Sequence, residues 1–139
     1  MSSPVIRPGT PDDVDATLGL WTLAGAKPSV TDNAEALRSL LAFDPDALLI
    51  ADGDGDVVGS LIVAWNGWRG SFYRLAVHPD HRRRGVATRL LREGEQLLDR
   101  RGAARIDAIV LADEAAALSF WSAAGYECQP DRSRFVRNL

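Results

Sequence analysis

A single cysteine, Cys128, has no partner within the chain for a disulfide. With only two histidines beside it, a Cys/His metal set is out of reach, and no metal is expected. Apolar runs stop at about five residues, against the ~20 that a membrane-spanning helix needs. Lysine is nearly missing. Lys27 stands alone among 16 basic residues, the others being arginine. A GC-rich genome is the weightier cause, although the bias also favours forked contacts with anions. The net charge of −3 gives no reason to expect nucleic acid or an anionic membrane as partner. The start, Met1-Ser-Ser-Pro-Val-Ile-Arg7, has neither the basic region nor the apolar stretch of a secretory signal, so a cytoplasmic location is expected. No linker, repeat or low-complexity segment interrupts the 139 residues, of which 46% are hydrophobic. That is enough chain for one domain, 1–139, to bury a core unaided.

What is present reads as a mixed α+β chain. Val5-Ile6-Arg7 is a short strand, and Thr10-Pro11-Asp12-Asp13 is a helix start with a Thr cap and Pro at the first position. Val14, Leu18 and Trp21 continue one apolar face. After a break over Gly25–Val30, a second helix is expected over Thr31–Ala42. Ala47–Ala51 and Val57–Trp65 form a hairpin about the Asp52–Asp56 turn, and Ser71–Val77 is a fourth strand. The turn resembles part of a calcium loop but lacks its later ligands. A helix over Val86–Arg101 ends at Gly102, and Arg105–Leu111 is a fifth strand. Asp113 is the expected cap of a last helix carrying Ala117, Phe120, Trp121 and Ala124 and closed by Gly125. Tyr126–Gln129 and Arg134–Val136 are expected as closing strands. Helices after the fourth and fifth strands make those two strands parallel neighbours.

The chemistry concentrates between Leu75 and Thr88, in Leu-Ala-Val-His-Pro-Asp-His-Arg-Arg-Arg-Gly-Val-Ala-Thr. A strand ends at Val77, a Pro turn follows, and a helix begins near Gly85. A helix start carries unpaired N–H groups and partial positive charge, which suits a pyrophosphate. Gly85 permits close backbone approach, Ala87 keeps the next turn small, and Arg82, Arg83, Arg84 and Arg89 add cations. On these grounds alone an anion site and a solvated basic turn weigh equally.

Arg82-Arg-Arg-Gly85-Val-Ala87 resembles the Q/R-x-x-G-x-G/A loop of the GNAT superfamily of acyl-CoA-dependent N-acetyltransferases. The Leu75-Ala-Val-His-Pro lead-in, the Ile-Arg-Pro start and Ala117-x-x-Phe-Trp-x-x-x-Gly-Tyr126 agree with it, so the resemblance spans the chain. It implies a mostly antiparallel sheet, splayed at its parallel strands 4 and 5 and flanked by helices. It also implies acetyl-CoA as cosubstrate and a small-molecule or peptide amine as acceptor. The donor-binding set is then Leu75, Ala76, Val77, Arg82, Arg83, Arg84, Gly85, Val86, Ala87 and Thr88. Within it, the loop from Arg83 to Thr88 would hold the pyrophosphate, and the main chain of Leu75 and Val77 would face the pantetheine arm. Similar proteins are often homodimers, which this sequence neither requires nor opposes.

Two positions depart from the family. Trp121 occupies the place of a tyrosine that serves as general acid, and Asp113 and Glu114 stand where an asparagine is common. Tyr73 is then the only, weak, candidate for polar help, and no Asp or Glu lies within Ser71–Val77 to act as base. Trp121 shares an apolar stripe with Ala117 and Ala124, so packing is its default role. His78, before Pro79, reads as a turn former, and His81 as solvent-exposed or near the phosphates. Trp65 and Trp68 suit an acceptor pocket, edge packing or a dimer contact equally. The first helix and Gly25–Val30 are where the family lines its acceptor cleft. The function expected is transfer of acetyl to a primary amine by direct attack on the thioester, with an acetyl-CoA-binding sensor lacking turnover as alternative. A transferase acting on charged tRNA is opposed by the acidic balance.

Overall fold

The strands Leu48–Gly53 (β2) and Asp56–Trp65 (β3) break the alternation of a half-exposed sheet: Leu48–Ala51 and Val58–Val63 are buried without interruption. Such a run requires cover on both faces. Helices Val14–Leu23 (α1) and Ala34–Phe43 (α2) provide one cover, with Val14, Leu20, Trp21, Leu37 and Leu41 packed on Leu48, Ile50, Ile62 and Ala76. The helix Val86–Arg100 (α3) provides the other through Val86, Leu90, Leu91 and Leu98. The structure, a computed structural model, describes residues 3–139.

With Val5–Pro8 (β1), Gly70–Val77 (β4) and Ile106–Ala108 (β5), the described residues form one five-stranded sheet in the order β1-β2-β3-β4-β5. Neighbours are antiparallel except β4 and β5, which are parallel as expected. The β2–β3 turn is Asp54-Gly55 with φ of 54° and 96°, the pattern of a type I′ hairpin. The chain divides into two compact units, Met1–Ala108 and Ile109–Leu139. The second holds the helix Ala115–Ala123 (α4), and no helix among the described residues is long and apolar enough to cross a membrane.

How closely α3 rides on the sheet is set by missing side chains. A Cβ on Gly94 of α3 would lie 2.8 Å from Phe72 Cε1 and 3.0 Å from Leu61 Cδ2. From the sheet side, a Cβ on Gly59 would meet Leu90 Cδ1 at 3.0 Å and Val86 Cγ1 at 3.1 Å, and one on Gly70 would meet Leu98 Cδ1 at 2.5 Å. Forked ion pairs fasten the periphery. Arg101 grips Asp44 at 2.8 and 3.0 Å, and Arg7 grips Asp13 at 2.8 and 2.9 Å while its Nε reaches Asp52 at 3.0 Å.

Four sequence expectations are corrected. The second helix begins at Ala34, not Thr31, because Asn33 accepts from the Ala36 N–H at 2.8 Å while Ser29 and Asp32 close a turn before it. The fifth strand keeps only Ile106–Ala108 of the expected Arg105–Leu111. Asp113 is not the cap of α4: a turn from Leu111 O to the Glu114 N–H at 3.1 Å puts Glu114 there. Neither closing strand forms among the described residues. The Tyr126 N–H is spent on Trp121 O at 3.0 Å in the helix-ending turn, Pro130 cannot donate, and Phe135 is left 94% exposed.

Two stability predictions follow from these contacts. Gly94→Ala gains about 1 kcal/mol of helix propensity but overpacks Phe72 and Leu61, so a net loss of roughly 1–2 kcal/mol is expected in urea unfolding. An unchanged midpoint would mean that α3 backs away from the sheet freely. The Arg7 guanidinium, hydrogen-bonded to Asp13, holds that carboxyl down to about 2 from an ordinary 3.8, and Arg101 likewise lowers Asp44. The unfolded chain therefore binds more protons in this range, so the stabilisation is full above pH 4 and fades as the pH falls towards 2. Arg7→Met should remove about 1–2 kcal/mol at pH 7, allowing for partial exposure of the pair, and flatten the dependence of unfolding free energy on acid below pH 4.

Candidate functional site

The ladder between β4 and β5 covers Gly70–Phe72 against Ile106–Ala108 and stops there. From Tyr73 to Val77 no strand among the described residues pairs with that edge of β4. On its other edge β4 is bulged. Tyr73 faces Ile62 and Ala76 faces Ser60, so Arg74 and Leu75 together oppose Leu61. Arg74 carries the distortion at φ 54°, a left-handed conformation that costs a non-glycine residue about 1–2 kcal/mol.

Three side chains from other elements hold the bulge in place. The Trp21 indole N–H donates to Ser60 Oγ at 2.8 Å, and the Ser60 hydroxyl donates to the Arg74 carbonyl at 2.9 Å. Both side chains are buried, so this relay gives each polar group a partner and turns the bulge carbonyl into the core. The Arg74 guanidinium, 5.5 Å from the Trp21 ring centre, forks onto Asp32 through Nε at 3.1 Å and through its second nitrogen, which also donates to the Lys27 carbonyl at 3.0 Å. None of Trp21, Ser60, Arg74 or Asp32 was assigned a site role from the sequence. Ser60, alone and polar in the run Val57–Trp65, was the available signal, since a hydroxyl buried in a central strand needs a partner.

Beyond Val77 the chain makes a 3₁₀ turn over Pro79–His81. His78 Nδ1 accepts from the Asp80 N–H at 3.1 Å, the turn-forming role expected of it. His81 is not solvent-exposed: it is half-buried, edge-on to His78 at 5.8 Å, with Nδ1 enclosed and without a hydrogen bond among the described residues. Arg82, exposed, donates to Val77 O at 3.4 Å and to Ala24 O at 3.3 Å, and so ties the loop to the end of α1. Arg83, Arg84 and Arg89 are exposed and make no ion pair among the described residues.

Arg83 and Gly85 both take positive φ, 64° and 76°, on either side of Arg84. Such alternation gathers successive N–H groups into an anion-binding concavity. α3 starts directly from it, with no side-chain cap, and its first helical bond runs from the Arg89 N–H to Gly85 O at 3.0 Å. The N–H groups of Val86, Ala87 and Thr88 are thus left for an outside acceptor. A Cβ on Gly85 would meet nothing within 4 Å, so the space in front of the loop is clear. Of the sequence-predicted set, Val86 and Ala76 bury their side chains in the core and bring only main chain to the site. Leu75 and Val77 are half-buried on the open edge, and Thr88 is exposed. Tyr73 stands at the first position past the β5 ladder, 44% exposed, its hydroxyl unpaired among the described residues. In the second unit, Trp121 packs edge-on to Tyr126 at 5.0 Å and to Phe120 at 5.7 Å. That packing is the default role its sequence position gave it.

A family model described as the acetyltransferase (GNAT) family matches residues 18–126. An acetyltransferase from Sodalis glossinidius is 36% identical over 118 residues, 85% of this chain and 83% of its own length. Among solved structures, Ard1 from Thermoplasma volcanium aligns with a TM-score of 0.83 at 18% identity, over 92% of this chain and 85% of its own. An aminoglycoside N-acetyltransferase solved in complex with CoA aligns with a TM-score of 0.75 at 21% identity, over 99% and 97%. The sequence matches carry the family, and the structural ones carry the fold.

Ser60→Ala is expected to cost about 1–3 kcal/mol, because it strands the Trp21 N–H and the Arg74 carbonyl in the core. Adding Trp21→Phe should cost less than the sum of the two single changes, read by urea unfolding of all four proteins. Strict additivity would show that the relay is not a unit.

Proposed function

The chain belongs to the acetyltransferase (GNAT) family, and from that premise we propose that it takes acetyl from acetyl-CoA and passes it to a primary amine by direct attack on the thioester. One observation carries the reading: an unpaired strand edge runs directly into a loop whose N–H groups converge at an uncapped helix start. In this arrangement the N–H groups from Arg83 to Thr88 hold the pyrophosphate, aided by the free cations of Arg83, Arg84 and Arg89. The β4 main chain at Leu75 and Val77 pairs with the pantetheine arm as a missing strand would. The Arg82 side chain ties the loop to the end of α1 through Val77 O and Ala24 O, and its main chain leads into the pyrophosphate loop. When bound, the donor supplies an activated carbonyl with a thiolate as leaving group. The acceptor is a small-molecule or peptide amine.

What the protein adds is chiefly alignment. Holding two reactants in place supplies an effective molarity of about 10⁵–10⁸ M, whereas a general acid contributes roughly 10²–10⁴-fold. A thiol with pKa near 8.5 departs as thiolate without an acid at neutral pH, so a tryptophan at position 121 is tolerable. The amine nitrogen attacks the carbonyl carbon, the C–S bond breaks, and the ammonium proton passes to water. No carboxylate lies within Ser71–Val77 to take that proton. The acceptors favoured are amines with a pKa near 8, which need little help, over alkyl amines near 10.4. The second reading, a CoA-binding sensor without turnover, draws on Trp121, whose ring is already engaged by Phe120 and Tyr126.

The test is calorimetry with acetyl-CoA on the wild type and on Gly85→Asp, alongside a free-thiol release assay with α-amines, alkyl amines and amino sugars. Aspartate at a φ of 76° adds strain and puts a negative charge where the N–H groups converge, so at least about tenfold weaker binding is expected. Amine-dependent thiol release establishes transfer, and binding without release across the panel selects the sensor. A wild type that does not bind acetyl-CoA overturns the proposal.

A further inference from the structure

The connection between α1 and α2 runs exposed from Lys27 to Thr31, yet it is anchored at one half-buried point, Asp32. That carboxylate is a hub. It accepts the Ser29 N–H at 3.0 Å from within the connection and the forked Arg74 guanidinium from the β4 bulge. Arg74 also takes the Lys27 carbonyl at 3.0 Å, so one side chain grips both ends of the segment. The same residue carries the strained φ of the bulge and has its own carbonyl held by Ser60. Its main chain and its side chain therefore serve two different structures. The main chain opens the strand edge, and the side chain seats a surface segment that has no other hydrogen bond to the sheet among the described residues. Trp21, from the helix leading into that segment, closes the circuit by bonding Ser60 and lying under the guanidinium.

We propose that Arg74 is a positioning residue that couples the β4 edge to the 27–32 connection through Asp32, so that occupation of the edge by the donor orders the connection. The proposal rests on the reading that acetyl-CoA binds along β4. The guanidinium cannot shift without moving Asp32, because two nitrogens hold two carboxylate oxygens. Nor can the backbone at residue 74 flatten into regular strand without swinging that side chain away, because φ would have to change sign. The bulge and the connection therefore move together. A donor paired to the main chain at Leu75 and Val77 stabilises the bulged form of β4 over a flattened one, and with it the closed 27–32 segment. Arg74 itself is not among the groups that touch the donor.

The experiment is amide hydrogen exchange, read by NMR or by mass spectrometry of peptides covering 26–33, on wild type, Arg74→Gly and Asp32→Asn, each with and without acetyl-CoA. Glycine suits a φ of 54° and keeps the bulge while deleting the strap, so the variant separates the two roles. In the ligand-free protein, exchange at Ser29 and Asp32 should speed up by about tenfold or more in both variants. In wild type, acetyl-CoA should slow exchange across 26–33, although none of those residues belongs to the donor set. Arg74→Gly should still bind acetyl-CoA but lose that response, an effect that a purely structural side chain would not produce. Unchanged ligand-free exchange in both variants overturns the strap. Wild-type binding with no slowing in 26–33 overturns the coupling alone and leaves the donor reading intact. Failure of wild type to bind acetyl-CoA removes the donor reading and the coupling with it, while the ligand-free comparison still reports on the strap.

Discussion

Two consecutive residues in the middle of β3 fix the geometry of everything around the candidate site. Gly59 and Ser60 face opposite sides of the sheet. On one side, the missing side chain of Gly59 lets Val86 and Leu90 settle against the strand, which places the first turn of α3. On the other, the Ser60 hydroxyl captures the Arg74 carbonyl and is itself captured by Trp21. The start of α3 and the bulge of β4 are thus both referenced to one point in the buried middle of β3. Errors in placing a site grow with the number of soft connections between its parts. Here the two halves are separated by a single peptide of a central strand.

The left-handed Arg74 is unfavourable in isolation, by about 1–2 kcal/mol. It persists because the surrounding bonds over-determine it: one buried hydrogen bond to its carbonyl and a forked ion pair at its side chain. The consequence is a strand that stays paired with β3 to Val77 across a bulge but leaves the β5 ladder after Phe72. A regular β4 would pair along its length and present no free edge. The loop that follows uses the same device twice, at Arg83 and Gly85, to turn N–H groups outward where no side chain caps them. Local charge then matters more than the overall balance. The net charge is −3, yet Arg83, Arg84 and Arg89, without an ion pair among the described residues, flank the start of a helix whose N-terminal dipole has the same sign.

Periodicity and turn chemistry made most of the fold legible in the sequence. The apolar faces of α1 and α3, the Asp54-Gly55 hairpin and the parallel β4–β5 pair all follow from local patterns. The helix start at Gly85 was legible because glycine takes a positive φ at little cost, as a turn into a helix requires. The bulge was not legible, because nothing in Tyr73-Arg74-Leu75 marks a positive φ. Arginine rarely takes one, and the partners that enforce it lie 14 and 42 residues away. The two carbonyl partners of the Arg82 side chain were not legible, because charge gives no direction. The expected closing strands failed for want of a face to bury. Alternation in Arg134–Val136 is a pattern without a surface, since Phe135 and Val136 stay exposed.

The departures from the family at position 121 and in the fourth strand bear on one another. A tyrosine acid matters most when the leaving group is poor and the nucleophile is weak. A carboxylate base matters most when the amine is strongly basic. On the proposed transfer to an amine, a chain that lacks both would favour amines that are substantially neutral near pH 8, since a thiolate can leave unaided. Such chemistry would draw its rate from alignment, and the proposed site is built on a bulge held by Trp21, Ser60 and Asp32 and a helix start set against Gly59. Trp121, engaged edge-on by Phe120 and Tyr126, serves its own unit as a packing residue.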